Sequence, residues 1–492
     1  MAPELTKRQK IAHLLRRFGL GATEAELNHL EPMGVDGALD YLLDFEKTDE
    51  GFSVDPWQIC QEVPGGELYV DGFRFAEWWA LRLLMTQRPV EQRLTFFWHN
   101  HFVVSGEKVD FGPMLLGYLE TLRKNAAGDF PTLLKAASKD PAMLKYLDGD
   151  SNVRNHPNEN FARELLELFT MGQGAYTEED IQEAAKAMTG WGNRYLLYED
   201  PNGDIQSKLK NCISHDLPMT TASFSPELFD PGVKKVLGKQ GPLDADKLLD
   251  MIAGRKETAR HITTKIWHSF ASDELPEAVS NHLVSVFQKT NGNTKAILMA
   301  IAKTDEFWSE ACVRRQVKNP IDFVLPILRQ LGLNSMLLAA RPVGGNHLTP
   351  LPQQLRNAGG LVFGTLYRQG MVLLFPPNVG GWPSGKAWIS QNNMIARSEF
   401  ADTIFGTGQP DHPLAAILGN QIADGNPITA YNTVIRLLSI FDAELPPMKQ
   451  NILVVAFEKA GGVKTLRSPA EAAKSLAAVC RLLFASPEFQ LC

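Results

Sequence analysis

Cysteine is scarce and scattered. The five in 492 residues (Cys60, Cys212, Cys312, Cys480 and Cys492) form no Cys-x-x-Cys pair and are odd in number. That excludes a disulfide framework and a cysteine-built zinc site. Basic residues fall short of acidic ones, 49 against 56, for a net charge of −7. Without a basic field, nucleic acid is not an expected partner. No apolar run reaches the length of about 18 residues that a membrane span needs. Familiar catalytic signatures are missing too: no Gly-x-Ser-x-Gly elbow, no His-Glu-x-x-His zinc helix, and no haem-attaching Cys-x-x-Cys-His. There is no repeat of fixed period and no alternating strand–helix pattern, so neither a solenoid nor a parallel sheet is expected.

What remains is an ordinary globular composition, 44 % hydrophobic and 21 % charged, on a chain too long for a single growing core. Helical periodicity and caps cover most of it. Thr23 with Glu26 reads as a capping box, and Thr177 as the cap of a helix that stops at Gly190. Between 191 and 240 the texture changes. Arg194–Tyr198 and Ile205–Lys210 flank the turn Pro201-Asn202-Gly203, which predicts a β-hairpin near 193–210. The Gly- and Pro-rich stretch 340–392 reads as a long irregular segment, either functional or a surface connector. The expected fold is mainly α, a large multi-helix single body with that hairpin as a small insertion. Its expected parts are a helical lobe at 1–190, the insertion at 191–240, and a second helical lobe at 241–492 packed on the first.

Arg16-Arg17-Phe18 has the look of a twin-arginine export signal. Yet Gly19-Leu20-Gly21-Ala22 runs into the helix start at Thr23 instead of an apolar stretch. As written, the chain is expected in the cytoplasm.

Two segments carry candidate chemistry. His99 and His101 sit in the apolar run Leu94–Val104, where burial keeps imidazole neutral, the form that binds metal. Residues two apart face opposite sides of a helix. One divalent metal on both therefore requires the helix to end at Val103–Gly106; two hydrogen-bonded core histidines are the alternative. In the helix at 157–171, Glu159, Arg163 and Glu167 are spaced as a salt-bridge ladder, while Asn160, Glu164 and Glu167 share the neighbouring face. If that face meets His101, it forms a buried cluster of the kind helical bundles use for metals. The candidates are then His101, Glu164 and Arg163 for catalysis, His99, His101 and Glu164 for metal, and Asn158 and Asn160 for ligand. Gly380–Gly385-Lys386 has the spacing of a phosphate-binding loop. Ala387 replaces the required hydroxyl, however, and Pro383 removes an amide. Trp382, Lys386 and Trp388 are instead expected to line a pocket mouth, for a small ligand or a glycan.

Several motifs are familiar together: Trp98-His99-Asn100-His101-Phe102, the run from Pro157 to Thr170 with Gly172, and Met188-Thr189-Gly190-Trp191. So are Pro376-Pro377-Asn378-Val379-Gly380-Gly381-Trp382-Pro383 and the closing Ser486-Pro487-Glu488-Phe489-Gln490. The chain closely resembles, over nearly its whole length, the bacterial family catalogued as domain of unknown function 1800. That family has no settled activity to carry over. Its members resemble exported proteins encoded beside a second family, number 1501, which is similar to phosphatases and sulfatases. Many relatives have a His before the Asp of a His-Asp-x-Gly-x-Lys stretch; here Phe229 precedes Asp230. Two functions are expected from different classes. One is a hydrolase-type or metal-assisted enzyme with a buried His/Asn/Glu cluster. The other is a non-catalytic binding or carrier protein for a 1501-family partner or a glycan. The resemblance also implies a second location, periplasmic or secreted, by co-export with a signal-bearing partner. That route calls for an exposed apolar patch around Phe375, Trp382 and Trp388.

Overall fold

Side-chain caps set the helix starts. Thr6 with Gln9, Thr23 with Glu26, Thr177 with Asp180 and Asn319 with Asp322 form reciprocal capping boxes. The computed structural model describes residues 4–199, 201–339, 347–405, 428–467 and 469–492. Within these, the N-terminal half runs α1 (Lys7–Phe18), α2 (Glu24–Leu30), α3 (Gly34–Leu43), α4 (Gly72–Met85) and α5 (Pro89–His101). It continues with α6 (Gly112–Asn125), α7 (Phe130–Ser138), α8 (Pro141–Tyr146), α9 (Glu159–Leu166) and α10 (Glu178–Ala187). After α11 (Ile205–Ser214) come α12 (Ala245–Ala253), α13 (Lys256–Phe270), α14 (Glu277–Lys289) and α15 (Thr294–Ala302). Next are α16 (Pro320–Gln330), α17 (Leu333–Ala339), α18 (Gln353–Arg368) and α19 (Gln391–Phe405). Helices Ala430–Ile440, Pro447–Lys459 and Pro469–Ala485 complete the order. The fold is mainly α. One continuous apolar core runs from Ile11 to Phe489, and no single described helix is long and apolar enough to cross a membrane.

The small β insertion is present, with a different partner strand. β1 (Trp191–Arg194) pairs antiparallel with β2 (Thr221–Phe224), Trp191 opposite Phe224. β3 (Lys234–Val236) and β4 (Lys239–Gly241) make a second two-stranded sheet. Ile205–Lys210, expected as the second strand, opens α11 instead. Asp204 accepts the Ser207 N–H as an N-cap, and Leu209 and Ile213 bury one face at helical spacing. The stretch expected to be irregular holds another helix, α18, while its Gly344-Gly345-Asn346 lies outside the described residues. Glycines make α18 look like loop, but they serve packing: a Cβ on Gly359 would come within 3.1 Å of the Glu77 carbonyl of α4.

Arg16 and Arg17 belong to the fold's interior. Arg17 is fully buried. It donates from Nε to the Phe270 carbonyl at 3.1 Å, from Nη2 to the Ser269 carbonyl at 3.0 Å, and also to Gln316. This ties α1 to the end of α13 and to the segment preceding α16.

Candidate functional site

The apolar run of α5 ends at His101, and the glycine loop at 380–385 closes onto that end. Asn100 Oδ1 accepts the main-chain N–H of Trp382 at 2.7 Å. The Trp382 ring lies 5.5 Å from both Phe96 and His99, nearly parallel to each. Gly381 adopts φ +85°, and a Cβ there would fall 2.2 Å from Asn100 Oδ1. Only glycine fits that turn. With the last turns of α13 and the segment 316–322, these groups enclose a cavity of about 480 Å³.

One wall is set by an irregularity in the helix after Asn158. Following α9, residues Glu167–Met171 form a π turn, a wide turn in which main-chain bonds run i→i+5. Its carbonyls serve three side chains from other helices. The Phe169 carbonyl accepts from His101 Nε2 at 3.1 Å. The Leu168 carbonyl accepts from His261 Nε2 and from Lys265 Nζ, both at 3.2 Å. A carbonyl can only accept, so His101 carries its proton on Nε2. Its Nδ1 lone pair then receives Lys265 Nζ at 3.2 Å.

Burial governs the charge states here. It pulls the Lys265 ammonium down to about 8. It holds His101 well below the usual imidazole range, helped by the Lys265 charge and by His261. His261 falls to about 4, from burial and then Lys265. No carboxylate forms an ion pair with Lys265 among the described residues, so a neutral amine is accessible near physiological pH. Two amides complete the wall. Asn100 and Asn319 each use the carbonyl oxygen on a main-chain N–H, of Trp382 and Asp322, which leaves their NH₂ ends for a ligand. His268 gives its Nδ1 proton to the Ser272 carbonyl at 3.0 Å, leaving Nε2 as an acceptor on the cavity lining. Arg93 on the same lining is paired with Asp322.

The family described as "Protein of unknown function (DUF1800)" matches residues 13–491. The chain belongs to the DUF1800 family. No curated protein and no solved structure matches it. In this DUF1800 protein, the Trp98–Phe102 motif and the Gly380-Gly381-Trp382-Pro383 motif meet at the Asn100–Trp382 bond, 282 residues apart in sequence.

The expected His/Asn/Glu cluster is not assembled. His101 faces Lys265 and the Phe169 carbonyl. His99 points away from it into an aromatic cage of Trp79, Tyr118 and Trp382, where burial drops it to about 3. Glu164 does not line the cavity; half-burial and the neighbouring Glu167 raise its carboxyl pKa. Among the described residues no three His, Cys, Asp or Glu side chains converge as metal ligands. His99, His101 and Glu164 are thus not brought together as a metal-ligand set among the described residues. Arg163 pairs with Glu178 of α10 on the surface. The ladder is not formed: Arg163 turns to Glu178, and Glu167 accepts from Tyr176 and Gln173 instead. Asn158 is a helix cap, also bonded to the Leu147 and Asp148 carbonyls, and Asn160 is exposed. Trp382 and Trp388 do line the cavity, whereas Lys386 is exposed and does not. The expected surface patch is absent at the two indoles, which are 4 % and 3 % exposed. Phe375 instead stacks on the half-exposed Phe73 at 4.3 Å. Phe229 lies under Lys234 Nζ at 4.5 Å, a packing contact away from the cavity lining.

Lys265 was the residue the sequence reading overlooked. Spacing gave no signal for it: His261, Lys265 and His268 share one stripe of α13 at i, i+4 and i+7, off the buried face formed by Ile262, Ile266 and Phe270, where polar residues are ordinary.

Proposed function

We propose that this DUF1800 protein is a hydrolase whose base is Lys265, oriented by His101, acting on a small polar carbonyl compound in the 480 Å³ cavity. The observation that carries the reading is Lys265 itself: a mostly buried amine on the cavity wall, without a carboxylate partner among the described residues, held between the Leu168 carbonyl and His101 Nδ1. A lysine brought down to about 8 is matched to proton abstraction near neutral pH. In this scheme the neutral Nζ takes a proton from water as its oxygen attacks the carbonyl. The resulting ammonium is held by the two acceptors it already faces, and as the oxyanion collapses and the C–O or C–N bond breaks it returns that proton to the departing alcohol or amine. The free NH₂ ends of Asn100 and Asn319 supply donors toward the developing oxyanion, the preorganised arrangement that lowers such barriers.

A panel of small esters and amides tests this. Turnover is expected to rise with pH through about 8, the range in which Lys265 loses its proton. Lys265→Met should lower kcat by about 100-fold or more, the usual scale for removing a general base. An active enzyme whose kcat and pH profile survive Lys265→Met would sink the reading.

The carrier reading keeps one support, the exposed aromatic group of Phe73 and Tyr367 beside Phe363 and Phe375. Such a patch suits a protein partner, here proposed as a 1501-family protein that carries this chain out of the cytoplasm. Co-purification is expected with the wild type and lost with Phe73→Asp. Equal recovery of both would end that proposal.

A further inference from the structure

We infer that a second, smaller cavity holds one monovalent anion of about chloride size. It lies among α1, α16 and the turn after Ala430–Ile440, with a volume of about 20 Å³. One sphere of water size needs roughly 10–15 Å³ by this kind of measure. It shares only Asp322 with the lining of the cavity of the proposed reaction, and nothing in that reading requires it.

Three cations line it: Arg16, Arg314 and Lys318. Asp442 answers the first two, accepting from Arg16 Nη1 at 2.6 Å and from Arg314 Nη2 at 2.8 Å. The other carboxylate on the lining, Asp322, is engaged by Arg93. Glu444 touches Arg314 at 3.4 Å from the surface side. Lys318 is left over. Lys318 is 9 % exposed, and its Nζ sits 3.9 Å from the centre of the Phe489 ring, with no acceptor in hydrogen-bonding reach among the described residues. Beside it, Arg16 Nε is buried with no partner. A buried ammonium without a counter-charge is costly unless an anion joins it or it gives up its proton. Burial lowers Lys318 to about 8, which still leaves it charged at pH 7. Gln330 lines the same wall with Oε1 unpartnered, a lone pair that a water would satisfy. Asp442 and Cys492 favour the Lys318 charge from a distance, but neither bonds its Nζ among the described residues, and an anion in the cavity would do so where a water brings no counter-charge.

The test compares melting temperatures of the full chain at matched ionic strength in sodium chloride, sodium bromide and sodium gluconate. Halide is expected to raise Tm saturably by about 2 °C or more, since a ligand bound only by the folded state stabilises it by mass action. Lys318→Met should lose the halide increment. Bromide-grown crystals of the wild type should show anomalous density beside Lys318 Nζ, a result that does not depend on any variant folding. Equal Tm in halide and gluconate, or an ordered water in the cavity with no anomalous signal, would overturn the inference.

Discussion

Gly381→Ala is expected to destabilise the protein by about 3–5 kcal/mol and to abolish ligand binding in the large cavity. Three costs add at this position. A non-glycine residue at φ +85° is strained by about 1–3 kcal/mol. The new Cβ would also lie 2.2 Å from Asn100 Oδ1 and 2.8 Å from the Asn100 carbonyl. Relief of that clash breaks the Trp382 N–H bond to Asn100, a loss of about 1 kcal/mol, and lifts Trp382 off Phe96 and His99. Gly380→Ala is the control. Its Cβ meets only Asn378 Oδ1, at 3.1 Å, and its backbone is not left-handed. Urea unfolding of the two variants should separate them by at least about 2 kcal/mol. Equal midpoints would mean that the loop is not pinned to α5.

His99→Leu should behave in the opposite way for so buried a polar residue. Neither ring nitrogen finds a partner outside its own residue, so an apolar side chain of similar volume is expected to fall within about 1 kcal/mol of wild type at pH 7.5. The difference appears in acid. The unfolded ring takes up its proton near 6.5 and the folded ring only near 3. The stability this contributes is complete above 6.5 and is lost as pH falls through that window, at about 1.4 kcal/mol per pH unit. At pH 5 the loss amounts to about 2 kcal/mol. His261 acts in the same direction down to about 4, and His13 and His101 share its sign. Asp140, raised to about 6 by burial, opposes them, as do the raised carboxyls of Glu77, Glu91 and Glu164. Subtracting the variant's pH curve from the wild type's removes those shared terms and leaves His99. A difference curve flat between pH 7.5 and 5 would refute the account.

The helices were legible where local chemistry fixes them. Thr23 with Glu26 and Thr177 with Asp180 announce their starts, and the break at Pro89 falls where α5 begins. Legibility failed where one residue type has two uses. Pro201-Asn202-Gly203 suggests a hairpin turn, but Asp204 next to it caps α11; Gly359 suggests loop, but it lets α18 approach α4. At the site, both motif segments could be found from the sequence, and their contact through Asn100 and Trp382 could not. Spacing placed Glu164 on a helix face but could not say what that face meets: Glu164 is half-buried off the cavity lining, and His101 turns to the Phe169 carbonyl. Hydrogen-bond register has no spelling in residue types, so the π turn and its carbonyls stayed hidden, and Lys265 with them.

That turn also has a bearing on length. A wide turn takes in one residue more than an α turn over the same span, so the segment from Glu159 to Met171 carries a spare residue. Removing Leu168 would let the segment close into regular helix, with its buried Phe161, Leu165 and Leu166 undisturbed upstream. The deletion takes away the carbonyl that seats His261 and Lys265 and turns that of Phe169 from His101. Helix and cavity wall can therefore fail independently, and a chain one residue shorter would keep the helix and lose the seats of all three side chains.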